Sequence, residues 1–418
     1  MSLIAQIPEI LKEAQREYEN CRQKAFETIC QFGNKDNGNI ICDGDNLEFI
    51  SHLINTMDMK GKINLIYVDP PFFTKLKYEA VVKLPASGEN ISVPAYTDRW
   101  EEGEAEYLRM LCSRLIAMRE LLAKDGCIWV HLDWHISHYV KILLDEIFGH
   151  GNFVNEIVWT YKSGGSSKRH FARKHDTLLF YGKSKKYYFK PQKEKSYNRE
   201  LKPYRFKGVE EFCDDTGWYT LVNMKDVWNI DMVGRTSAER TGYATQKPEA
   251  LLCRILESCS REGDICADFF AGSGTLASVA HKMNRRFILC DGGSLAVSIC
   301  TQRLAENGAS FDVMAADNDI SQIPDTIKVM YDSENGEVHI DAQSYINSLE
   351  NGEEAIKMWS IDWDYDGDVH RVCDVNFRNR EGISGEFTGK AGEKISLFFT
   401  GIIGGRNQYV ILTKPYEC

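Results

Sequence analysis

A four-residue motif, Asp69-Pro70-Pro71-Phe72, combines residue types that can hold an amino group carried by a flat ring. Two consecutive prolines fix the backbone φ angle and remove two N–H donors. The result is a rigid turn that presents a carboxylate, backbone carbonyls and an aromatic face. The oxygens can accept hydrogen bonds from an amino group, and the aromatic face can stack on the ring. Taken alone, the motif is as consistent with a plain turn after a strand as with a binding site.

A second motif, Asp268-Phe269-Phe270-Ala271-Gly272-Ser273-Gly274-Thr275, follows a predicted strand and opens a predicted helix. Gly272 and Gly274 allow the backbone to turn tightly and to approach a ligand closely. Asp291 ends the next predicted strand about 20 residues later, the spacing expected for a partner of a ribose hydroxyl. Strand, glycine turn, helix and acid together favour a nucleotide-like ligand, whereas the turn alone could be a tight connection. The chain has no G-x-x-x-x-G-K-[ST] motif, which excludes a phosphate-cradling loop for ATP.

Around these motifs, apolar periodicity predicts alternating strands and helices, which imply a parallel sheet covered on both faces. We expect short alternating strands from about residue 325 onwards. One helix is predicted over residues 8–32, and an irregular loop over 74–100. Predicted strands cover 39–42, 63–68, 126–132, 265–270 and 286–290, and further predicted helices cover 104–122, 136–148, 248–260, 276–283 and 294–305.

Charge is distributed unevenly along the chain. The net charge of −11 argues against a protein that coats DNA in general. Residues 162–210 nevertheless contain 15 Lys or Arg against 4 Asp or Glu, whereas residues 321–418 contain 9 against 17. The basic segment is either a solvated surface or an element that faces phosphates. The candidate phosphate contacts flank a predicted flexible loop at 164–167, and they are Lys162, Lys168, Arg169, Arg173 and Lys174.

The 13 cysteines include no C-x-x-C pair, which predicts reduced thiols, a cytoplasmic protein and no structural zinc site. No apolar run is long enough for a membrane span. His131, His135 and His138 have a spacing that metal ligands can have, but they fall on a predicted strand, turn and helix start. The acidic run at 362–366 resembles a calcium loop, but Cys373 stands where that loop needs a glutamate. We therefore predict no metal site.

Five stretches, in this order, resemble the β-type amino-methylating DNA methyltransferases, and among them the adenine-specific group that is similar to type III modification subunits. The resemblance covers roughly residues 39–305, and the catalytic block precedes the cofactor block. It implies an α/β, Rossmann-like S-adenosylmethionine-dependent methyltransferase fold with circularly permuted motif order. The matching stretches are Gly44-Asp45-Asn46-Leu47, Leu65–Phe72, Asp145–Gly149 with Asn152-Phe153-Val154, Thr245-Gln246-Lys247-Pro248 and Asp268–Thr275.

The resemblance also implies a domain order and partners. Residues 1–159 would form the catalytic half with an N-terminal helix, and 160–244 an inserted target-recognition region that binds DNA. Residues 245–320 would form the cofactor-binding half, and 321–418 a small C-terminal β-rich domain. Double-stranded DNA is the implied substrate, S-adenosylmethionine the implied cofactor, and a restriction subunit or a second copy of the chain are candidate partners.

Residue roles follow from the same resemblance. Asp69 and the carbonyl of Pro70 would bind the adenine N6 amino group, and Phe72 would stack on a base flipped out of the duplex. On the cofactor side, Asp45 would meet the adenine, Asp291 the ribose and Lys247 the carboxylate. The rest of the cofactor would lie against the second motif, namely Asp268, Phe270, Ala271, Gly272, Ser273, Gly274 and Thr275.

Other functions are consistent with parts of this pattern. N4-cytosine methyltransferases share the architecture but usually have Ser in place of Asp69. Enzymes acting on RNA or protein amino groups usually have Asn there. The family usually has Tyr where this chain has Phe72, which keeps the stacking face but removes a hydroxyl. A catalytically weak, DNA-binding specificity subunit is therefore a further alternative. The absence of a Pro-Cys dipeptide argues against methylation at cytosine carbon 5.

Overall fold

Strands and helices alternate in the computed structural model, which describes residues 2–21, 24–34, 38–164, 168–234, 236–316, 320–332, 334–379 and 381–413. The α-helices of these residues are α1 (Leu3–Glu19), α2 (Asn46–Asn55), α3 (Glu104–Leu121), α4 (Ser137–Leu144), α5 (Glu249–Cys259), α6 (Thr275–Lys282), α7 (Ser294–Glu306) and α8 (Gln343–Leu349). A π-helical turn (Asp145–Gly149) extends α4. The strands are β1 (Glu27–Phe32), β2 (Ile40–Asp43), β3 (Ile63–Val68), β4 (Lys77–Lys83), β5 (Asn90–Thr97), β6 (Leu122–Leu132), β7 (Phe153–Thr160), β8 (His175–Gly182), β9 (Lys193–Tyr197), β10 (Phe212–Cys213), β11 (Trp218–Asn223), β12 (Val227–Asn229), β13 (Ile265–Asp268), β14 (Arg286–Asp291), β15 (Phe311–Ala315), β16 (Ile320–Ser321), β17 (Lys328–Asp332), β18 (Glu337–Asp341), β19 (Ile356–Asp362), β20 (His370–Arg371), β21 (Asp374–Phe377), β22 (Glu386–Gly389), β23 (Lys394–Gly401) and β24 (Arg406–Leu412).

The central sheet has the strand order β12-β7-β8-β6-β3-β13-β14-β2-β15-β1-β20. The strands from β6 to β15 run parallel to one another. After β3 the chain continues to β6 on one side, whereas after β13 it continues to β14 on the other side. Neighbouring strands whose connections leave in opposite directions open a crevice at their carboxyl ends, which is where open α/β sheets bind ligands.

Both faces of this sheet are covered. In β3, Ile66 and Val68 face one apolar cluster, which contains residues of α1 to α4. Leu65 and Tyr67 face the opposite cluster, which contains residues of α5 to α7. Successive residues of a strand point to opposite faces, so a strand buried on both sides must be apolar throughout. The predicted α/β fold, with a parallel sheet between two helical layers, is confirmed.

The N-terminal prediction is wrong in its second half. The helix predicted over residues 8–32 ends at Glu19, and Glu27–Phe32 is strand β1, antiparallel to β15. Phe32 stacks on Phe311 of β15 with ring centroids 4.7 Å apart. Pairing at the edge of the sheet, with its cross-strand aromatic contact, outweighs the helical spacing of the apolar residues.

The predicted loop over residues 74–100 is also wrong, because β4 and β5 form an antiparallel hairpin there. Only one of its faces is covered: Ala80 and Val93 are buried, whereas Val81 is 65% exposed. In β4, Tyr78, Ala80 and Val82 point inward and alternate with the exposed Lys77, Glu79, Val81 and Lys83. The alternation of a half-buried strand was therefore present in the sequence, and the loop prediction missed it.

Residues 160–244, the predicted target-recognition region, supply β8 and β12 to the central sheet. Strand β8 is buried almost throughout and pairs with β6 and β7. Between β8 and β12 the chain forms a separate three-stranded sheet of β10, β11 and β9. Residues 165–167 of the predicted flexible loop lie outside the described residues.

The C-terminal part, residues 320–413, has an apolar cluster of its own. It contains a five-stranded sheet (β16-β24-β23-β19-β21), a three-stranded sheet (β17-β18-β22) and α8. Strand β20 leaves this C-terminal unit and pairs in parallel with β1, which extends the central sheet. The unit is therefore attached to the central sheet by backbone hydrogen bonds. Among the helices described, none is sufficiently long and apolar to cross a membrane.

A buried histidine, His370 of β20, should make the free energy of unfolding depend on pH. His370 is fully buried between the hydroxyls of Ser360 and Ser396, each 2.9 Å from a ring nitrogen. Burial lowers its pKa from 6.5 to about 3. Between pH 6.5 and 3, His370 is protonated in the unfolded chain and neutral in the folded chain. The free energy of unfolding should therefore fall as pH decreases from 6.5 towards 3, by up to about 1.4 kcal/mol per pH unit.

Urea unfolding between pH 7.5 and 5 tests this prediction. A His370→Gln variant should show a flatter pH dependence than the unmodified chain. His150→Gln serves as the control, because the His150 side chain is 86% exposed. Equal pH slopes for the unmodified chain and His370→Gln would contradict it.

Candidate active site

A cavity of about 180 Å³ lies where β3 and β13 end, at the crevice between the two motifs. It contains the Asp69–Phe72 motif, Lys247, Asp268, most of the glycine turn and Asp291. Residues separated by about two hundred positions in the sequence thus share one pocket. Other residues that line it were not predicted from the sequence: Tyr67, Tyr78, Tyr96, Tyr243 and Thr245.

The carboxylate of Asp69 has one paired and one unpaired oxygen. Lys247 Nζ donates a hydrogen bond to Asp69 Oδ2. The side chain of Lys247 is only 13% exposed and that of Asp69 only 17%. The other oxygen, Asp69 Oδ1, is buried and has no hydrogen-bond partner among the described residues. An unpaired buried acceptor costs about 1–3 kcal/mol, so this atom is ready to accept an N–H from a ligand.

The turn after Asp69 is held by a buried acid, Asp98. Its carboxylate accepts hydrogen bonds from the backbone N–H groups of Phe73 (3.1 Å) and Thr74 (2.6 Å). Phe73 has a φ of 60°, a left-handed conformation that is strained for an aromatic residue. This conformation separates two neighbouring rings. Phe73 packs into the core against Tyr107, whereas Phe72 lines the cavity.

Behind Asp69 lies a buried chain of hydrogen bonds. The Tyr67 hydroxyl is 2.8 Å from His131 Nδ1, and His131 Nε2 is 3.2 Å from Asp176 Oδ2. Burial alone would raise the pKa of Asp176, but the hydrogen bond from His131 holds that pKa below its usual value. An ionised Asp176 accepts this hydrogen bond from the N–H at His131 Nε2. This chain fixes the tyrosine at the floor of the cavity.

Both glycines of the second motif are required by geometry. Gly272 has a φ of 51° and Gly274 a φ of 69°. A Cβ at Gly274 would lie 2.8 Å from Cys300 Sγ, and a Cβ at Gly272 would lie 3.3 Å from the ring of Tyr243. The glycine turn is therefore packed between α7 and a tyrosine, with no room for a side chain.

Two acids border the glycine turn: Asp268 is buried and Asp291 is half-buried. Asp291 accepts hydrogen bonds from the backbone N–H groups of Gly272 and Gly293, both at 2.8 Å. Asp268 accepts one from Phe270 N–H at 3.0 Å. Burial raises the pKa of Asp291, and raises that of Asp268 well above its usual value. A ligand that brings positive charge or hydroxyl donors would relieve this cost of burial.

Two of the predicted cofactor residues do not line the cavity. Asp45 caps α2, where it accepts hydrogen bonds from Leu47 N–H and Glu48 N–H, and it pairs with Arg114 at 2.9 Å. The sequence did contain the signal for this cap, since Asp45 precedes a helical pattern. Gly274 lies behind the cavity wall, against Cys300.

The predicted phosphate contacts lie on the connection from β7 to β8, next to the carboxyl ends of the parallel strands. Lys168 and Arg169 are exposed. The guanidinium of Arg173 lies 3.6 Å from the ring centroid of Trp134, which follows β6. Lys174 Nζ donates to Ser163 O at 2.8 Å, and Lys162 lies 3.7 Å from Asp231. The connection thus carries cations to the side of the sheet on which the cavity opens.

Comparison with known proteins identifies similar chains. A family model described as DNA methylase, covering N6 and N4 methyltransferases, matches residues 63–302. The type II methyltransferase M.EcaI of Enterobacter cloacae is 29% identical over 313 residues, which are 60% of this chain and 67% of that protein. The EcoPI Mod subunit, from a type III restriction-modification enzyme of Escherichia phage P1, is 30% identical over 166 residues. That alignment covers 36% of this chain and only 25% of the subunit.

A solved structure from Thermus thermophilus has a similar chain. It is a putative DNA modification methylase complexed with S-adenosyl-L-methionine. The match has a TM-score of 0.43 and 16% identity, and it covers 67% of this chain and 100% of the other.

Proposed function

The chain belongs to the DNA methylase family, and from that premise we propose that it methylates the N6 amino group of adenine in double-stranded DNA. S-adenosylmethionine is the methyl donor. The observation that carries the proposal is Asp69 Oδ1, a buried oxygen that accepts no hydrogen bond from the described residues, in a cavity that also contains Phe72 and most of the glycine turn.

On the base side, the amino nitrogen of adenine is a poor nucleophile because its lone pair is delocalised into the ring. Asp69 Oδ1 and the carbonyl of Pro70 accept its two N–H groups and draw it towards a tetrahedral geometry, which frees the lone pair. Phe72 stacks on the flipped base, and stacking contributes about 1–3 kcal/mol per base. Asp69 favours adenine over cytosine, because the N4-cytosine enzymes of the family usually have Ser at this position.

On the cofactor side, the pocket fits a cationic nucleoside. S-adenosylmethionine supplies a methyl group bonded to a positively charged sulfur. Gly272 and Ser273 of the glycine turn line the cavity in which it would lie, Asp291 can accept from ribose hydroxyls, and the buried Asp268 offers a complementary charge. Lys247 has three N–H donors, so it can hold a ligand carboxylate while it stays paired with Asp69.

Positioning accounts for most of the catalysis in this scheme. Asp69 Oδ1 orients the amino group and holds the proton that the nitrogen loses after methylation. Lys247 keeps the other oxygen of the same carboxylate in place. No covalent intermediate with the chain is needed. A restriction subunit is a candidate partner, since EcoPI Mod is by name a subunit of a restriction-modification enzyme.

Replacing Asp69 tests the proposal directly. Asp69→Ala should lower the single-turnover rate of methyl transfer about 10²-fold or more. Its affinity for S-adenosylmethionine, measured by calorimetry, should stay within about threefold, because the acceptor acts on the base. Product nucleosides from the unmodified enzyme should contain N6-methyladenine; N4-methylcytosine would move the chain to the other branch of its family. A variant that methylates at the normal rate would refute the mechanism.

Phe72 decides between an enzyme and a specificity subunit. If the ring acts by stacking, Phe72→Ala should slow transfer about 5- to 150-fold, the equivalent of about 1–3 kcal/mol, while Phe72→Tyr changes little. If the missing hydroxyl marks a decayed site, Phe72→Tyr should instead accelerate transfer more than tenfold. Single-turnover methylation of duplex DNA by the three proteins distinguishes the two results. Since Phe73 is packed in the core, it cannot replace the ring without rebuilding the turn.

The connection between β7 and β8 should set the salt dependence of DNA binding. Replacing Lys168 and Arg169 by Ala should reduce the slope of log affinity against log salt by about one unit for each phosphate that is no longer neutralised. The matched control is Lys60→Ala with Lys62→Ala. These lysines lie just before β3, at the amino ends of the parallel strands, away from the connection between β7 and β8. If the slope of log affinity against log salt is unchanged in the first variant, these cations do not contact phosphates, and the segment is an ordinary solvated surface.

A further inference from the structure

The hairpin of β4 and β5 reaches from the cavity to the C-terminal unit. We call residues 77–97 the tyrosine hairpin, because its base carries Tyr78 and Tyr96. These two residues are cross-strand partners, and their rings stack with centroids 4.7 Å apart. Both line the cavity. The hairpin therefore forms one wall of the proposed methyl-transfer site.

The middle of the hairpin lies on the cofactor side of that site. Ala80 packs in one cluster with Tyr243 and with Leu295 and Ile299 of α7. Tyr243 is the residue whose ring lies closest to the Cβ position of Gly272. Movement of the hairpin would therefore shift Tyr243 against the glycine turn, in addition to displacing Tyr78 and Tyr96.

The tip of the hairpin packs on the C-terminal unit. Leu84 is only 6% exposed, and it is buried against Ala355 and Ile402, which are 0% and 7% exposed. Val82 and Ile91, which face each other across the hairpin, pack against the same cluster. A two-stranded hairpin is marginally stable by itself in water, so this apolar contact is what holds its far end.

The turn that carries Ile402 is itself fixed to the catalytic domain. The backbone at Gly404 approaches the first residue of α7 so closely that a Cβ would lie 2.3 Å from the carbonyl carbon of Ser294. Arg406 pairs with Asp43 at the end of β2 at 3.0 Å. The support for the hairpin tip and the cofactor side of the cavity thus share the same helix.

From these contacts we propose that the C-terminal unit is a positioning element of the methyl-transfer site: Ile402 and Ala355 hold Leu84, and through it the hairpin that keeps Tyr78 and Tyr96 against the bound ligand. The proposal gives the unit a role in ligand binding and rests on the proposed function. It makes Leu84 and Ile402 positioning residues, since neither lines the cavity.

Aspartate placed at two positions of one hairpin tests this inference. Leu84→Asp should break the packing at the tip, weaken S-adenosylmethionine binding at least tenfold by calorimetry, and speed cleavage after Glu89 by a glutamate-specific protease. Val81→Asp is the matched control, because Val81 points outward from the same strand and is 65% exposed. It should bind the cofactor within about twofold of the unmodified chain. Leu84→Met, which keeps the apolar packing, should behave like the control.

A change from the other side of the interface completes the test. Ile402→Asp should reproduce both effects, and the double variant should be no worse than either single one, because all three disrupt the same apolar packing. If aspartate unfolds the chain, Leu84→Ala and Ile402→Ala replace these variants. Unchanged affinity and cleavage in folded variants would overturn the proposal. If the unmodified chain binds no S-adenosylmethionine, the proposed function fails, while the cleavage pattern still tests the support of the hairpin.

Discussion

The parallel pairing of β3 with β13 is the interaction on which the rest of the structure depends. Leu65 and Ile66 pair with Cys266 and Ala267, so the carboxyl ends of the two strands lie side by side. The carboxylate after β3 and the glycine turn after β13 become neighbours only through this pairing. Because the chain leaves the two strands in opposite directions, neither connection crosses the gap between their ends. The cavity is thus a consequence of the connectivity of the sheet.

The pairing also explains how a buried carboxylate with one unsatisfied oxygen is tolerated. Asp69 is attached to a strand whose side chains are covered on both faces, so the core fixes its position. Lys247 neutralises the charge, and the buried Asp98 stabilises the strained turn that follows. The cost of the unpaired Oδ1 is thereby offset by contacts that do not involve it. An acceptor held in this way needs little reorganisation when a donor arrives.

The parts of the structure that were predicted correctly are those that a short stretch of sequence determines. Strand β3 was predicted with the bounds that the structure has, because a strand buried on both faces is continuously apolar. The glycine turn was recognised because left-handed backbone needs glycine. The ion pair between Lys247 and Asp69, and the lining by Tyr96, depend on contacts between distant segments, for which no local pattern exists. Asp45 shows the reverse case: it caps α2 and does not line the cavity, so its contact with the cofactor stays a prediction.

The edges of the sheet show why the functional residues lie where they do. The outermost strands, β12 and β20, have three and two residues, so neither offers a long free edge for pairing with another chain.

The amino ends of the parallel strands carry no predicted site residue. At the carboxyl ends, by contrast, the cavity, Trp134 with Arg173, and the exposed Lys168 lie on one side. A chain with a net charge of −11 can therefore present these cations to a polyanion, because acids elsewhere on the surface are screened beyond a Debye length of about 8–10 Å.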